Sequence, residues 1–368
     1  MTDTTSLRRT APHGRRPLAA STAVATLMLT PAVTAAGRAQ DTPPTYPSSK
    51  ITGLVFGDYY AFTDHHDPEW DGQHGFWIRR AYLTYEHTFS EKLYARFRLE
   101  ANSNGKLAGG NLVPFVKDLF LRWQYHGEQQ VMVGLQPTPT FDWLEAFWGL
   151  RHVEKTPVDL YRIDTARDLA LGLSGPLGGS GFRYAAQIGN SGNGAEVDQF
   201  KIVRFEARYE KKPGLVAEAF YSFGERADST DRVTAQGVAG YQGKSFRLAG
   251  QYVYQKRKSG TAQPDVEIDV WSGFAVWQVR PDKAALFARL DSVKSRAGGV
   301  RAGLPGADGI DYLALSPDAP FQAFIGGFEY YLHPSVRLAP NVEWIRYDDS
   351  VPAVSHDVVA RLTFFWSW

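Results

Sequence analysis

The sequence contains no cysteine. This absence excludes a thiol nucleophile, a thiolate metal site and a disulfide framework. Hydrogen bonds and packing must therefore hold the fold together. A chain without cysteine is compatible with an oxidising compartment such as the bacterial envelope, but proteins of any location can also lack cysteine.

Long hydrophobic runs are missing after the first forty residues. Mean hydropathy is −0.31, and hydrophobic residues make up 43% of the chain. No later stretch reaches the roughly 20 apolar residues that a spanning helix needs. A membrane barrel escapes this exclusion, because its strands alternate apolar and polar residues and each segment averages as mildly polar.

The first 39 residues are predicted to form a signal peptide. Four arginines precede an apolar, alanine-rich stretch at 18–33, and small residues follow at 35–39. This order is typical of secretory signals. The alternative, a membrane anchor, is disfavoured because the apolar stretch is short and contains Pro31. Residues 40–50 are then expected to form a short periplasmic segment before a barrel at 51–368.

The sequence also lacks a large excess of charge of either sign. The whole chain carries a formal net charge of +1, and residues 1–39 hold five arginines and one aspartate, so the remaining chain carries −3. Such a protein offers no global attraction for nucleic acid or anionic lipid, and no nucleic-acid partner is predicted. Any preference for anions must come from a local arrangement.

The feature that the sequence does have is alternation with a period of two. The even positions from 358 to 368 are all apolar, whereas Asp357 and Arg361 lie on the opposite face. The segments 201–210 and 245–257 alternate in the same way. This periodicity predicts strands with one apolar and one polar face. Aromatics at 14% and 35 glycines suit many short strands joined by turns.

We count roughly sixteen such strands, an even number as in single-chain bacterial barrels. They are placed at 52–62, 76–89, 92–102, 115–126, 129–136, 168–176, 181–189, 201–211, 215–224, 232–242, 245–256, 268–280, 283–294, 321–333, 336–347 and 356–368. Short and long connections alternate between them, which a soluble sandwich has no reason to show. We therefore predict an all-β fold, a transmembrane antiparallel β-barrel with short periplasmic turns, long extracellular loops and a constriction loop.

Aromatic residues at strand ends are expected to contact the lipid interface. A final aromatic after alternating apolar positions resembles the signal that outer-membrane barrels present to their assembly machinery, so this machinery is an expected partner through Trp368. Interfacial girdles of aromatic residues are typical of such barrels. The candidates are Tyr59, Tyr60, Trp77, Trp123, Tyr125, Tyr221, Trp271, Trp277 and Tyr331.

The long segment 137–167 is the candidate constriction. Segments of this length are usually functional or disordered, and its aromatic content argues against disorder. We expect it to fold into the lumen, an external lid being the alternative. Arginine has a fixed charge and suits carboxylate and phosphate contacts. The candidate pore-lining and anion-binding residues are Arg80, Arg96, Arg98, Arg122, Arg151, Lys155, Arg162, Arg204 and Arg208.

Two alternatives remain for these charged residues and for the barrel itself. Acidic residues share the same strand faces, so ion pairs that stiffen the wall are as well supported as an anion path. A structural barrel or adhesin would need a filled lumen, but one loop cannot close a barrel of about sixteen strands. A channel is therefore favoured.

Catalytic, cofactor and metal sites are not predicted. The histidines lack a Gly-x-Ser-x-Gly elbow beside them, and no glycine-rich phosphate loop or zinc pattern is present. The first long loop contains ligand types for a divalent metal, namely Asp64, His65, His66, Asp67, Glu69, Asp71 and His74. Because their spacing follows no fixed pattern, we expect a solvated surface loop.

Three stretches resemble the phosphate-selective porins of the O and P type. The first is Gly-Phe-Trp-Ile-Arg-Arg-Ala-Tyr-Leu at 75–83, which precedes a short turn and a basic strand. Residues 133–139 resemble the strand end that opens that family's third, inward-folded loop, and 166–171 resemble the segment that closes it. The resemblance implies homotrimers of sixteen-stranded barrels in the outer membrane of a Gram-negative-type bacterium. It also implies passive diffusion of small polar solutes, with phosphate or other small anions as the expected preference.

Overall fold

The computed structural model describes residues 45–103, 111–190, 199–225, 230–258, 265–297, 315, 319–348 and 355–368. The predicted signal peptide at 1–39 lies outside the described residues. Among the helices of the described ranges, none is both long and apolar enough to cross a membrane.

Sixteen strands and two short helices make up the described chain. The strands are β1 Ser48–Asp64, β2 His74–Ser90, β3 Leu93–Ser103, β4 Leu112–His126, β5 Gln129–Pro137, β6 Arg167–Pro176, β7 Phe182–Gly189, β8 Ile202–Glu210, β9 Gly214–Gly224, β10 Arg232–Gln242, β11 Phe246–Arg257, β12 Val266–Arg280, β13 Ala284–Ala297, β14 Phe321–His333, β15 Val336–Tyr347 and β16 His356–Ser367. The helices are α1 Phe141–Trp148 and α2 Pro157–Leu160, both between β5 and β6.

The strands form one closed antiparallel barrel in which each strand pairs with its neighbours in sequence. The ring closes between β1 and β16, where Leu54 lies opposite Ser367. Trp368 extends this pairing, since its amide donates to the carbonyl of Gly53 at 3.0 Å and its own carbonyl accepts from Gly53 at 3.1 Å. Closure leaves no strand edge unpaired, which a barrel in lipid requires.

The alternation read from the sequence is confirmed in the barrel wall. On β16, Leu362 is 45% exposed on the outside, whereas its neighbours Arg361 and Thr363 are buried on the inside. On β8, Phe205 faces outwards and Arg204 is fully buried. The outer surface is thus apolar and the inner surface is charged. The connections at one rim have two to five residues and those at the other rim are longer, as predicted.

Two bulges break this alternation on the strands that carry the basic residues. In β2 the register with β1 shifts between Arg80 and Ile78, so that Arg79 and Arg80 both face the lumen. In β4 the register with β3 shifts between Asp118 and Val116, and Lys117 joins Asp118 on the inside. An extra residue in one strand redirects its side chain in this way.

All sixteen predicted strands are present, with boundaries that shift by a few residues. β1, for example, begins at Ser48 rather than at residue 52. Three of the predicted girdle aromatics face inwards instead. Tyr60 packs with Phe62 and Trp77 in a buried cluster, and Tyr331 donates to Glu329 at 2.6 Å. The remaining six lie on the outer surface, namely Tyr59, Trp123, Tyr125, Tyr221, Trp271 and Trp277.

Gly134 of β5 provides a test of the strand pairing. Its φ is +119°, and a Cβ atom there would lie 2.3 Å from the carbonyl oxygen of Leu119 on β4. We expect Gly134→Ala to lower the free energy of unfolding by about 1–3 kcal/mol because of this strain. The measurement is urea-induced unfolding in detergent micelles, followed by tryptophan fluorescence.

The matched control is Gly250→Ala in β11, where a Cβ atom meets nothing within 4 Å. This variant should change the free energy of unfolding by no more than about 1 kcal/mol. Equal losses in the two variants would show that the left-handed backbone of Gly134 carries no special constraint.

Candidate functional site in the barrel lumen

Residues 138–166, here called the lumen loop, fold into the barrel. Side chains from the inner faces of six strands contact this loop, and only the interior is accessible to all of them. They are Arg79 of β2, Arg204 of β8, Arg247 of β11, Arg289 of β13, Glu329 of β14 and Arg361 of β16. The expected inward fold of the segment is therefore present, and the external lid is not.

Apolar packing fixes the loop against one half of the wall. Leu144 and Phe147 of α1 lie against β9, β10 and β11, and Trp148 packs against β12 to β15. Leu160, the last residue of α2, and Tyr161 after it pack against residues of β11 to β15. Each of these fully buried side chains contributes about 1.5–3 kcal/mol through the apolar surface it removes from water.

Buried polar contacts complete this attachment. Arg79 donates to the carbonyl of Val153 at 3.0 Å and forms an ion pair with Asp58 at 2.6 Å. The hydroxyl of Tyr161 donates to Asp291 of β13 at 2.7 Å. These groups satisfy loop backbone and wall carboxylates that would be costly to bury alone.

Arg204 belongs to this attachment rather than to the solute path. Its side chain is fully buried and forms ion pairs with Asp164 of the loop at 2.9 Å and with Asp168 of β6 at 2.6 Å. Arg204 therefore holds the end of the lumen loop, and its buried guanidinium does not line the open lumen. The prediction that Arg204 lines the pore is therefore corrected, because the side chain is buried beneath the loop.

The apolar residues of the loop leave β2 to β4 uncovered, and the inner side of these strands is basic. We call this surface the basic wall; it consists of Arg80, Arg96, Arg98, Lys117 and Arg122. Most of its cations have acidic partners. Arg80 and Lys117 share Glu100, Arg96 pairs with Glu86 at 2.7 Å, and Arg98 lies 3.3 Å from Asp118.

Arg122 differs from the rest of the basic wall. Its guanidinium lies over the ring of Tyr94, 4.3 Å from the centroid. Within the described ranges no carboxylate forms an ion pair with it. A cation over an aromatic face keeps its outward donors available for an anion.

The loop presents charged groups of both signs towards this wall. Arg151 lies 2.7 Å from Glu145 and 3.3 Å from Asp159, and Lys155 lies 3.5 Å from Asp159. Burial raises the pKa of Glu145 to about 7, although Arg151 opposes the rise. Burial also lowers the pKa of Lys155 to about 8, against the attraction of Asp159. Both groups therefore change charge near neutral pH.

A lumen cavity of about 510 Å³ lies between the loop, β2 to β4 and β8 to β11. Arg162 projects into it from a left-handed backbone with φ of 50°, and Arg257 donates to its carbonyl at 3.1 Å. Such a backbone is strained for arginine, and it persists only where the surroundings hold it. The charged residues that line the cavity are Arg80, Glu100, Lys117, Lys155, Asp159, Arg162, Asp164, Arg167 and Arg232.

The nine predicted residues fall into two groups and two single positions. Arg80, Arg96, Arg98 and Arg122 belong to the basic wall, whereas Arg151, Lys155 and Arg162 lie on the lumen loop. Arg208 lies near the turn-side end of β8, paired with Glu206 at 2.7 Å and stacked on Trp143. Arg204 is buried, as described above.

Cations at the site that sequence reasoning missed include Arg79, Lys117, Arg167 and Arg232. Arg79 and Lys117 face inwards only because of the bulges, which a strict alternation cannot reveal. Arg167 begins β6 and pairs with Asp118 at 2.5 Å and with Asp142 at 2.9 Å. Its position directly after the long loop was the one signal that pointed to it.

Comparisons with known proteins match this chain to one protein family and to many solved structures. A family model described as Gram-negative porin matches residues 20–350. No curated protein matches the sequence. A loop L8 deletion mutant of OmpT, an outer membrane protein of Vibrio cholerae, is similar with a TM-score of 0.63 and 12% identity, covering 88% of this chain and 100% of that chain.

Two further solved structures share the barrel. An anion-selective porin from Comamonas acidovorans gives a TM-score of 0.63 at 14% identity, covering 88% of this chain and 100% of that chain. OmpF of Salmonella typhi in complex with daunomycin gives a TM-score of 0.61 at 15% identity, covering 88% of this chain and 98% of that chain. At such identities these matches show a common fold.

Trp148 tests whether the packed loop narrows the lumen. Trp148→Ala removes a fully buried side chain, at a cost of about 3–5 kcal/mol in packing, and should loosen the loop. We expect proteolytic cleavage within 138–166 and a larger, noisier single-channel current. The control is Trp123→Ala on the outer surface of β4, which should behave like the parent protein. An unchanged current in Trp148→Ala would mean that the loop does not limit the pore.

Proposed function

Because the chain belongs to the Gram-negative porin family, we propose that it forms an outer-membrane channel that prefers small anions. The outer-membrane location and a channel for small solutes follow from the family and the closed barrel. The preference for anions is the part that the lumen supports and that experiment must decide.

The charge of the cavity carries this proposal. Six cationic and three anionic side chains line it, which leaves a formal surplus of three positive charges. This surplus is local, since the chain after residue 39 carries a net charge of −3. Rings of charge at a narrow part select ions by the field that they create, and the low-dielectric wall strengthens this field.

Two cations are placed to contact a passing anion. Arg162 is exposed in the cavity, and Arg122 lies over Tyr94. Neither forms an ion pair with a carboxylate of the described residues. Four further cations of the cavity have acidic partners and set the background potential, namely Arg80, Lys117, Lys155 and Arg167. A phosphate or carboxylate ion would then exchange between guanidinium groups with bidentate hydrogen bonds.

Phosphate is the first anion to test. The resemblance of residues 75–83 and 166–171 to phosphate-selective porins supports it, and the anion-selective porin of Comamonas acidovorans supports the broader class. We also propose a homotrimer that catalyses no reaction and needs no cofactor. OmpT of Vibrio cholerae, which shares the fold, is described in a trimer form. Residues 1–39 would be removed on export, leaving residues 40–47 ahead of β1.

The decisive measurement is the reversal potential of the refolded protein in a planar bilayer under a KCl gradient. We expect a shift towards the chloride equilibrium potential, and a lower current when phosphate is added. Arg162→Gln and Lys117→Gln should each reduce the ratio of anion to cation permeability, because each removes one positive charge from the cavity lining.

The matched control is Arg183→Gln, which removes a positive charge from the end of β7 at the short-turn rim, where Arg183 pairs with Glu128 at 3.0 Å. This variant should keep the parent's permeability ratio. A reversal potential at zero or towards potassium, or an equal effect of the control, would contradict the proposed anion path.

The pH dependence of the permeability ratio follows from two loop residues. As pH rises from 6 to 9, Glu145 with a pKa of about 7 gains a negative charge, and Lys155 with a pKa of about 8 loses its positive charge. Both changes make the constriction less positive, so anion preference should fall. The charged groups facing these two are Arg80, Lys117, Arg151, Glu154 and Asp159.

Two substitutions separate the titration of Glu145 from that of Lys155. Glu145→Gln should remove the change between pH 6 and 7.5, and Lys155→Arg should remove the change between pH 7.5 and 9. The ratio is measured from reversal potentials at each pH. A parent protein with the same ratio at pH 6 and pH 9 would rule out both titrations as determinants of selectivity.

A further inference from the structure

Two histidines and one aspartate meet at the long-loop rim, outside the lumen site. His65 and His66 directly follow β1, and Asp357 is the second residue of β16. The nitrogen of His65 nearest the carboxylate, Nε2, lies 3.8 Å from Oδ2 of Asp357, and Nδ1 of His66 lies 2.8 Å from Oδ1. One ligand atom from each of the three residues lies within 4.8 Å of the others.

The closure of the barrel between β1 and β16, here called the seam, brings these three residues together. β1 pairs with β16, and the register shifts between Phe62 and Asp64. The chain then turns so that the backbone amide of His66 donates to Oδ1 of Asp357 at 2.7 Å. Tyr347 of β15 donates to Oδ2 of the same carboxylate at 2.5 Å. Hydrogen bonds of this kind orient a ligating carboxylate.

His65 supplies the observation that points to a ligand. Its side chain is completely buried, and within the described residues Nε2 has no hydrogen-bond partner. The other ring nitrogen, Nδ1, lies 3.2 Å from the carbonyl oxygen of Asp67. Nδ1 also lies 3.0 Å from the backbone amide of Asp67, which donates to it when the proton is on Nε2. A cation at Nε2 would select the other tautomer, in which Nδ1 donates to the carbonyl of Asp67 and the lone pair of Nε2 faces the cluster. Metal-ligating histidines are held in this tautomer by the same kind of contact.

We propose that His65, His66 and Asp357 bind a divalent cation of the zinc class. Two imidazole nitrogens and one carboxylate oxygen form a donor set that Zn²⁺ accepts, with water in a fourth position. Ligands about 2.0–2.1 Å from a tetrahedral metal lie roughly 3.4 Å apart. The 3.8 Å between His65 and Asp357 is close to this separation, whereas the direct hydrogen bond of His66 must open by about half an ångström.

The position of the site allows the metal to enter from outside. The side chain of His66 is 13% exposed, and the cluster lies where the first long loop leaves the barrel. The bound cation would join this loop to β16 across the seam. Hard cations such as Ca²⁺ and Mg²⁺ prefer six or more oxygen ligands and do not suit two imidazoles.

The test is calorimetric titration of ZnCl₂ into refolded, tag-free protein in detergent. We expect one Zn²⁺ per chain, retained in excess MgCl₂, and a higher midpoint of thermal unfolding with zinc present. His65→Gln and His66→Gln should each weaken binding at least about tenfold, as loss of groups at metal sites commonly does. If the buried substitution prevents folding, the partly exposed His66→Gln carries the test.

The matched control is His356→Gln on the same rim, where His356 pairs with Asp64 at 2.9 Å. This variant should bind zinc like the parent. Absence of heat at millimolar ZnCl₂, full binding in His66→Gln, or equal weakening in His356→Gln would each overturn the assignment. Channel conductance plays no part in these measurements, so their outcome is independent of the proposed anion path.

Discussion

The pairing of β1 with β16 is the interaction on which the rest of the structure depends. A backbone in lipid has no water to satisfy its amides and carbonyls, so every strand must pair within the chain. Closing the ring through Leu54 and Ser367, with Trp368 paired to Gly53, meets this requirement. Once the ring is closed, side chains have only two places to go, lipid and lumen. The two-residue period of the sequence follows from that division.

The lumen loop fills part of the wide interior of the barrel. Its apolar residues cover the inner side of β9 to β15, and arginines on β2, β8 and β16 hold its polar groups. The remaining opening is therefore off-centre and bounded on one side by the basic wall. Some of the arginines that the sequence suggests as ion-binding therefore hold the loop, as Arg204 does, whereas others line the open part of the lumen.

The strands were predictable because alternation over ten or more residues rarely arises except in a strand with one apolar face. The loop was predictable because 29 residues separate β5 and β6. The roles of single arginines were less accessible. Arg204 and Arg208 lie on one strand, yet one is buried under the loop and the other lies beside Trp143. Which of them a loop covers depends on contacts distant in sequence. Arg79 and Lys117 were missed since a bulge leaves no mark in a pattern of polar and apolar residues.

The bulge at Lys117 also bears on how such channels diverge. Val116 already faces outwards and Asp118 inwards, so removing the single residue between them would restore regular pairing of β3 with β4. The sheet would stay in register while the lumen lost one cation. Loss of a single codon at a bulge is thus a route by which a lineage of barrels can change the charge of its interior without altering the lipid-facing surface or the order of its strands.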